Sequence, residues 1–515
     1  MADTVREIER KYEAGDSAGA PPLPDLSGVA GVATVAAQEP AELDAVYYDT
    51  ADRRLATAGI TLRRRTGGTD AGWHLKLPVA PGTRDEIRAP LSPDVPRALA
   101  ALVRSRTRHA RLTPLVRIVS RREVRLLLDE HGGVLAEASA DEVTADRLAD
   151  GGRTAHWTEF ELELGKDTDP GFLDTVEPHL RAAGLRPSKA PSKLSRALAE
   201  TETETEPAPR EKRKRRPAKG GKPTAGEHVL AYVRAQAEAV VTGDLDVRRD
   251  VDDSVHQMRV ATRRLRSAFR TFGKVLDREV TDPIGAELKW LAGELGVDRD
   301  REVLSARLRE RVDEVPDTLV LGPVRARLRR WAAARHAGAR KRLLSVLDSE
   351  RYLTLLDALD ALLADPPLLP AADAPRKAIA KAVLRDYRRL ARRVEHALAT
   401  EAGPGRDTAL HEARKAAKRV RYAAEAAKPA LGKPAKRFAR RMKSVQSLLG
   451  EHQDSVMARE ALRALAIQAH AAGESTYTLG LLHGREEALA AAYERELPDV
   501  WRKASAKRHR AALRA

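Results

Sequence analysis

The sequence predicts an α+β front half built on an antiparallel sheet or barrel, followed by an all-α back half. Three observations predict this. Over residues 1–200, short alternating segments are punctuated by Gly, Pro and Asp, the pattern of strands and turns. After about residue 224, Ala, Leu, Arg and Glu dominate and apolar residues recur at helical spacing. Charge changes at the same place: 28 Lys and Arg stand against 31 Asp and Glu in residues 1–200, and 64 against 44 in residues 201–515. A chain of 515 residues exceeds one ordinary core and is long enough for roughly two to four domains.

In chain order, the strand segments are Val5–Tyr12, Thr61–Arg65, Trp73–Leu77, Glu86–Arg88, Leu115–Leu128, Val134–Thr144 and Trp157–Leu164. Gly67-Gly68 and Pro81-Gly82 mark turns between them. Helices are expected near Arg97–Arg104 and Gly171–Ala183, outside the sheet. Residues 201–223 form a linker, with Thr201-Glu202-Thr203-Glu204, then Lys212-Arg213-Lys214-Arg215-Arg216, then Gly220-Gly221, and no apolar anchor.

Residues 224–515 repeat internally. His256-Gln257-Met258-Arg259 through Arg263-Arg264-Leu265-Arg266 matches His411-Glu412-Ala413-Arg414 through Lys418-Arg419-Val420-Arg421. Leu295-Gly296 matches Leu449-Gly450, and Lys289 and Lys443 precede those glycines equally. The offset stays at 154–155 residues, so two duplicated helical bundles are expected, about 224–366 and 375–515, joined through Pro366–Pro375.

No cysteine is present, so disulfides and thiolate metal sites are excluded and any metal must use oxygen or imidazole. Charges begin at Asp3 with no apolar segment behind them, so no signal peptide is expected. No run of about 18 uncharged apolar residues suggests a membrane span. A cytoplasmic protein is the expectation, and the net charge of +17 directs its basic half toward a polyanion.

The strands carry charges on one face. Glu7, Glu9 and Lys11 share a face, as do Arg63 and Arg65, His74 and Lys76, Glu86 and Arg88, and Glu137 and Asp141. Arg117, Arg121 and Arg125 share another, opposite Val124, Leu126 and Leu128. Glu159, Glu161 and Glu163 align three carboxylates, opposite Phe160, Leu162 and Leu164. Any one such strand is usually a solvated face. Three like charges in a row gain nothing unless a cation sits there. A closed barrel with a charged lumen accounts for the set: carboxylates hold hard divalent cations, and Arg and Lys hold phosphate oxygens. This is equipment for phosphoryl transfer.

Glu7-x-Glu9-x-Lys11, the basic pairs, Asp141, the late acidic strand and Pro191-Ser192-Lys193-Leu194-Ser195-Arg196 together resemble the CYTH domain, the triphosphate tunnel metalloenzymes. The resemblance covers about residues 3–200. It implies an eight-stranded antiparallel tunnel barrel that hydrolyses a triphosphate with Mg²⁺ or Mn²⁺. Glu7, Glu9, Glu161 and Glu163 then match metal-binding or metal-organising carboxylates. Lys11, Arg63, Arg65, Lys76 and Lys193 match phosphate-contacting bases, with Arg88 beside them and Asp141 as the acid of a second wall. Strand alternation turns Arg117 and Arg121 inward, while the family pattern equally allows Arg122.

On the helical half, His256, Arg259, Arg263, Arg266 and Arg270 fall on one helix stripe, and His411, Arg414, Lys418 and Arg421 on its repeat. A lone stripe is usually a solvated face, but finding it twice with His leading both argues for a binding surface. This pattern resembles the CHAD domain over about residues 224–515, which implies a basic helical domain that binds inorganic polyphosphate. Lys289 and Lys443 fit its further basic positions. The second stripe departs from the first with Lys418 for Arg263 and Glu425 for Arg270. Nucleic acid is less favoured, because aromatics for base stacking are scarce at 4%. The expected activity is triphosphatase action on inorganic triphosphate or a nucleoside triphosphate, tethered to polyphosphate or its granules. The alternatives are a non-catalytic polyphosphate scaffold and a nucleotide- or nucleic-acid-binding regulator.

Overall fold

The computed structural model describes residues 3–14, 23–148, 152–202, 223–296, 299–336 and 338–514. The chain divides into two compact units, Met1–Arg213 and Lys214–Ala515. Most of the expected linker, residues 203–222, lies outside the described residues.

The described residues of the first unit form strands β1 (Asp3–Ala14), β2 (Thr34–Ala37), β3 (Ala41–Asp49), β4 (Thr61–Thr66), β5 (Gly72–Ala80), β6 (Thr83–Ala89), β7 (Thr113–Leu128), β8 (Val134–Arg147), β9 (Thr154–Leu164) and β10 (Leu185–Pro187). Eight of them close a ring in the order β1-β6-β5-β4-β3-β7-β8-β9, and β9 pairs back to β1. Every pair in the ring is antiparallel. β2 joins β7 and β10 joins β1 outside the circuit. Closure removes the free edges that an open sheet would expose. Eight strands leave an interior wide enough for side chains or one small ligand.

Alternation sorts each strand into an outer and an inner face. On β9, Phe160 and Leu162 face outward and are buried beneath Phe172, Leu173, Val176 and Leu180 of the helix Gly171–Ala182. The inner residues of β9 change character along its length. Ala155 and Trp157 belong to an apolar end, which the helix Lys193–Glu200 fills with Leu194, Ala197 and Leu198. Glu159, Glu161 and Glu163 follow. The inner face of β7 runs likewise from Val116 and Ile118 to Arg122, and that of β8 from Ala145 and Val143 to Asp141. The same strands therefore build a core at one end of the barrel and a polar cavity at the other. Each fully buried aliphatic side chain at the filled end contributes about 1.5–3 kcal/mol.

The second unit is helical. Thr224 caps the first helix, Ala225–Arg248: its hydroxyl accepts from the Glu227 N–H, and Glu227 accepts from the Thr224 N–H. Ser254–Thr271 and Arg278–Glu294 follow in the first repeat, and Lys377–Ala399, Pro404–Ala426 and Lys433–Ala471 occupy the matching places in the second. A short 3₁₀ turn, Pro370–Asp373, stands between the repeats. The apolar cores cut across the duplication. One runs from Ala225 to Leu513 through both repeats. The other joins Leu308, Val312 and Leu328 to Leu462, Leu465 and Leu482. The stripe-bearing helices Ser254–Thr271 and Pro404–Ala426 pack against each other.

Candidate functional site

The polar end of the barrel encloses a cavity of about 630 Å³. Its acidic side is the seam between β1 and β9, where the register sets Glu9 opposite Glu163 and Lys11 opposite Glu161. Glu137 faces Glu163 from β8. Glu7 lies on the same face of β1, and the Lys76 ammonium donates to its carboxylate at 2.6 Å. The basic side comes from β4, β5 and β6, which carry Arg63 and Arg65, Lys76, and Arg84 and Arg88. Glu86 stands among these cations, with Lys76 at 3.6 Å, Arg63 at 3.7 Å and the buried His74 at 2.9 Å.

A second group closes the inner end. Arg122 grips Asp141 with two hydrogen bonds of 2.8 Å and reaches Glu161 at 2.8 Å. The Lys193 ammonium lies 2.7 Å from Glu161, 3.0 Å from Asp141 and 3.2 Å from Glu159. The local sequence puts Lys193 there. Ser192 caps the helix Lys193–Glu200 through a reciprocal bond with Ser195, so Lys193 is the first helical residue and points into the acids. Burial opposes the Lys193 charge, but Asp141, Glu161 and Glu159 outweigh it and raise the ammonium above the ordinary lysine value. Lys11 is raised in the same way against burial, by Glu161 and Glu9.

Two groups are shifted toward their neutral forms. Arg65 pairs with Asp70 on the cavity lining, yet burial, then the charges of Arg63 and Arg122, push it down to about 9. Burial, then Glu7, Glu9 and Glu161, push Glu163 up to about 7. Among the described residues no cation pairs with Glu163. The basic side thus favours a bound anion, and the seam favours a bound cation.

The structure brings Glu7, Glu9, Lys11, Arg63, Arg65, Lys76, Arg88, Glu161, Glu163 and Lys193 to one cavity, with Asp141 buried behind Arg122 and Lys193. It corrects the expectation for β7. Arg117 and Arg121 face outward and are exposed; Arg117 pairs with Asp44 at 2.6 Å, and Arg121 is in register with Glu42 and Glu142. Arg122, Val124 and Leu126 face inward instead. Both faces of β7 carry arginine, so period-two alternation could not choose between them; the register with Asp141 decides it. Arg84 is not singled out by the sequence reading, although it alternates with Glu86 and Arg88; Glu159 is read there as part of the acidic row but not assigned to the site, and the structure sets it against Lys193. Strand β3 was also missed, because Val46 and Tyr48 on its outer face mask the inner set Leu43, Ala45 and Tyr47.

In the helical unit, the two stripes converge. Lys418 comes among residues of the opposite stripe: burial, then Arg263 and Arg414, push its ammonium down to about 7. Of the repeated glycines, Gly296 makes room for its arginine and Gly450 leaves ordinary contact. A Cβ on Gly296 would lie 2.7 Å from the Arg259 guanidinium, and one on Gly450 would lie 3.8 Å from that of Arg414. The second stripe is partly neutralised, with Asp454 at 3.6 Å from Arg414 and Glu425 at 3.4 Å from Arg421. His411 Nδ1 lies 2.5 Å from Gln453 Oε1. His256, Arg266 and Arg270 continue the first stripe. Lys289 and Lys443 are exposed on the following helices, and Lys443 lines a separate cleft with Lys436 and Arg440.

A CYTH-domain model matches residues 6–197 and a CHAD-domain model residues 231–463. An uncharacterised protein of Mycobacterium tuberculosis (strain CDC 1551 / Oshkosh) is 39% identical over 516 residues, covering 96% of this chain and 96% of its own. The chain belongs to the CYTH–CHAD family. A protein from strain ATCC 25618 / H37Rv matches with the same 39% identity and the same 96% coverage of each chain. Among solved structures, PptA from Streptomyces chartreusis is 24% identical, matching 55% of this chain and 100% of its own at a TM-score of 0.46. The CHAD domain from the plant Ricinus communis is also 24% identical, over 55% of this chain and 92% of its own, at 0.42.

The helical unit also holds a carboxylate–histidine group: Asp407, His452 and Glu494 place one ligand atom each within 4.8 Å of one another. Arg459 binds Asp407 at 3.0 Å and Arg406 binds Glu494 at 3.0 Å. Each carboxylate thus has its own cation, and the group ties together the helices Pro404–Ala426, Lys433–Ala471 and Tyr477–Ala504. Among the described residues, no helix is long and apolar enough to cross a membrane.

Proposed function

We propose that the CYTH barrel is a metal-dependent triphosphatase and that the CHAD domain holds inorganic polyphosphate. One observation carries this reading: a single cavity sets Arg63, Arg65, Lys76, Arg84 and Arg88 against Glu7, Glu9, Glu161 and Glu163. Guanidinium forks and ammonium groups on one side suit the oxygens of inorganic triphosphate or a nucleoside triphosphate. The seam fits a hard divalent cation such as Mg²⁺ or Mn²⁺, because its donors are all carboxylate oxygens and Glu163 has no cation partner among the described residues. Held there, the metal would supply charge neutralisation for the phosphate oxygens.

The chain's own residues do the rest. Arg63, Arg65, Lys76 and Arg84 orient the triphosphate and hold its charge. Arg122 and Lys193 keep Asp141 and Glu161 ionised and fixed. Ser192, which lines the cavity, has its hydroxyl engaged in the helix cap, so water is the nucleophile. Its oxygen bonds to the terminal phosphorus, the bridging P–O bond breaks, diphosphate leaves, and a seam carboxylate receives the proton.

The test is phosphate release from inorganic triphosphate with Mg²⁺ and with Mn²⁺, for wild type and for Glu7→Ala/Glu9→Ala. ATP and long-chain polyphosphate run beside it. Metal-dependent turnover lost in the variant supports the reading. No turnover from a folded protein that still binds polyphosphate would leave a scaffold in its place.

A further inference from the structure

We propose that the CHAD domain carries a second polyanion site, a groove between the helices Lys377–Ala399 and Lys507–Arg514, which takes the far portion of a long polyphosphate chain already held by the His-led stripes. This rests on the polyphosphate reading above and extends it to residues that neither stripe contains.

The groove encloses about 980 Å³. Lys377, Lys381, Arg385, Arg388 and Arg392 recur at three- and four-residue spacing along one face of the first helix. At 1.5 Å per residue this row spans about 22 Å. Like charges at that spacing weaken a helix by a few tenths of a kcal/mol per pair, so the row costs stability unless an anion joins it. The second helix adds Arg510 and Arg514 from the other side. That helix lies beyond residues 231–463, the extent of the CHAD match.

The cations are largely available. Among the described residues, no carboxylate pairs with Lys377, Lys381, Arg388, Arg392 or Arg514. Arg385 donates to the carbonyl of Thr271, and Arg389 lies 3.5 Å from Asp386. Glu395 is the acid on the groove lining. Ala380, Leu384 and Ala391 also line the groove, so a chain can come close to the helix between the longer basic side chains.

The groove suits phosphate without bases. Tyr387, its one aromatic lining residue, is 4% exposed. Its ring stacks on Trp501 at 5.8 Å and has the Arg510 guanidinium over it at 4.9 Å. No ring face is left for a nucleobase. A chain of polar contacts through the buried Asp386 also joins the groove to the first stripe. Arg419 donates to the carbonyl of Arg270 at 3.0 Å and to Asp386 at 3.1 Å, and Asp386 in turn meets Arg389.

The experiment measures binding of short-chain and long-chain sodium polyphosphate to the full-length protein by calorimetry. Arg388→Ser/Arg392→Ser alters the groove at two exposed positions, Lys377→Ser/Lys381→Ser does so independently, and Arg263→Ser alters the stripe. The expected result is about a tenfold loss of long-chain affinity in both groove variants, with a shallower salt dependence and unchanged short-chain affinity. Arg263→Ser should weaken both lengths. Unchanged long-chain affinity in the groove variants, with a loss in Arg263→Ser, would overturn the groove and leave the CHAD reading standing. No loss in any variant would overturn both. A single-stranded DNA that loses more affinity than polyphosphate in the groove variants would assign the groove to nucleic acid instead.

Discussion

Glu9 and Glu163 stand opposite each other across the β1–β9 seam, two carboxylates in register at the line where the barrel closes. Like charges so placed destabilise a strand pair, and Glu163 is pushed up to about 7 by burial, Glu7 and Glu9. A carboxyl group raised on folding binds its proton more tightly in the folded state. The metal-free barrel therefore loses stability as pH climbs from the ordinary glutamate range through 7. Glu163→Gln should melt above wild type at about pH 8 and converge with it near about pH 4.3. Mg²⁺ should raise the melting temperature of wild type more than that of the variant. Calorimetry at the two pH values checks both.

Arg121 and Arg122 are sequence neighbours with opposite fates. Arg122→Ala leaves the fully buried Asp141 with Lys193 alone, and should cost about 3 kcal/mol and abolish turnover. Arg121→Ala, on the exposed outer face, should stay within about 0.5 kcal/mol of wild type with activity intact. Urea denaturation and phosphate release measure the two. Equal losses in both variants would contradict the inward assignment of Arg122.

Lys418 gives the CHAD domain a pH dependence of the opposite kind. Burial, then Arg263 and Arg414, lower it to about 7, and Arg259 and Asp454 also face it. The unfolded chain keeps that proton to about pH 10.4. Between those values the unfolded state binds more protons, so this group makes stability rise with pH. Polyphosphate among the stripes would return the proton. Binding should take up protons near about pH 8 and weaken as pH rises from about 6 to 8. Calorimetry in buffers of different ionisation heat counts the proton, and Lys418→Met should remove the uptake.

Gly296→Ala and Gly450→Ala test how the arginines are seated. A methyl group at Gly296 would meet Arg259 at 2.7 Å and must displace it, whereas one at Gly450 finds Arg414 at 3.8 Å, ordinary contact. Polyphosphate affinity should fall about tenfold in the first variant and within about twofold in the second. Equal effects would show that the glycines serve helix packing alone.

Much of this was legible in the sequence because charge on a strand and charge on a helix have different periods. Glu159, Glu161 and Glu163 could only share a face, and Phe160 and Leu162 could only share the other. The duplication was visible as a fixed offset between His256 and His411. What could not be read depended on partners distant in sequence. Arg122 is chosen over Arg121 by register with Asp141, and β3 is recognised by its neighbours β4 and β7. The row from Lys377 to Arg392 lay in plain view at helical spacing. Its facing wall, Arg510 and Arg514, was set beside it only by the packing of the last helix.

The helix Lys193–Glu200 stoppers one end of the barrel with Leu194, Ala197 and Leu198. A vessel stoppered at one end has one doorway. A polymer cannot be threaded through it, and only a free terminus can reach the bottom. If the barrel is the triphosphatase proposed above, its substrate would be short or be cut from its tip, and the fragments would leave by the way the substrate came in.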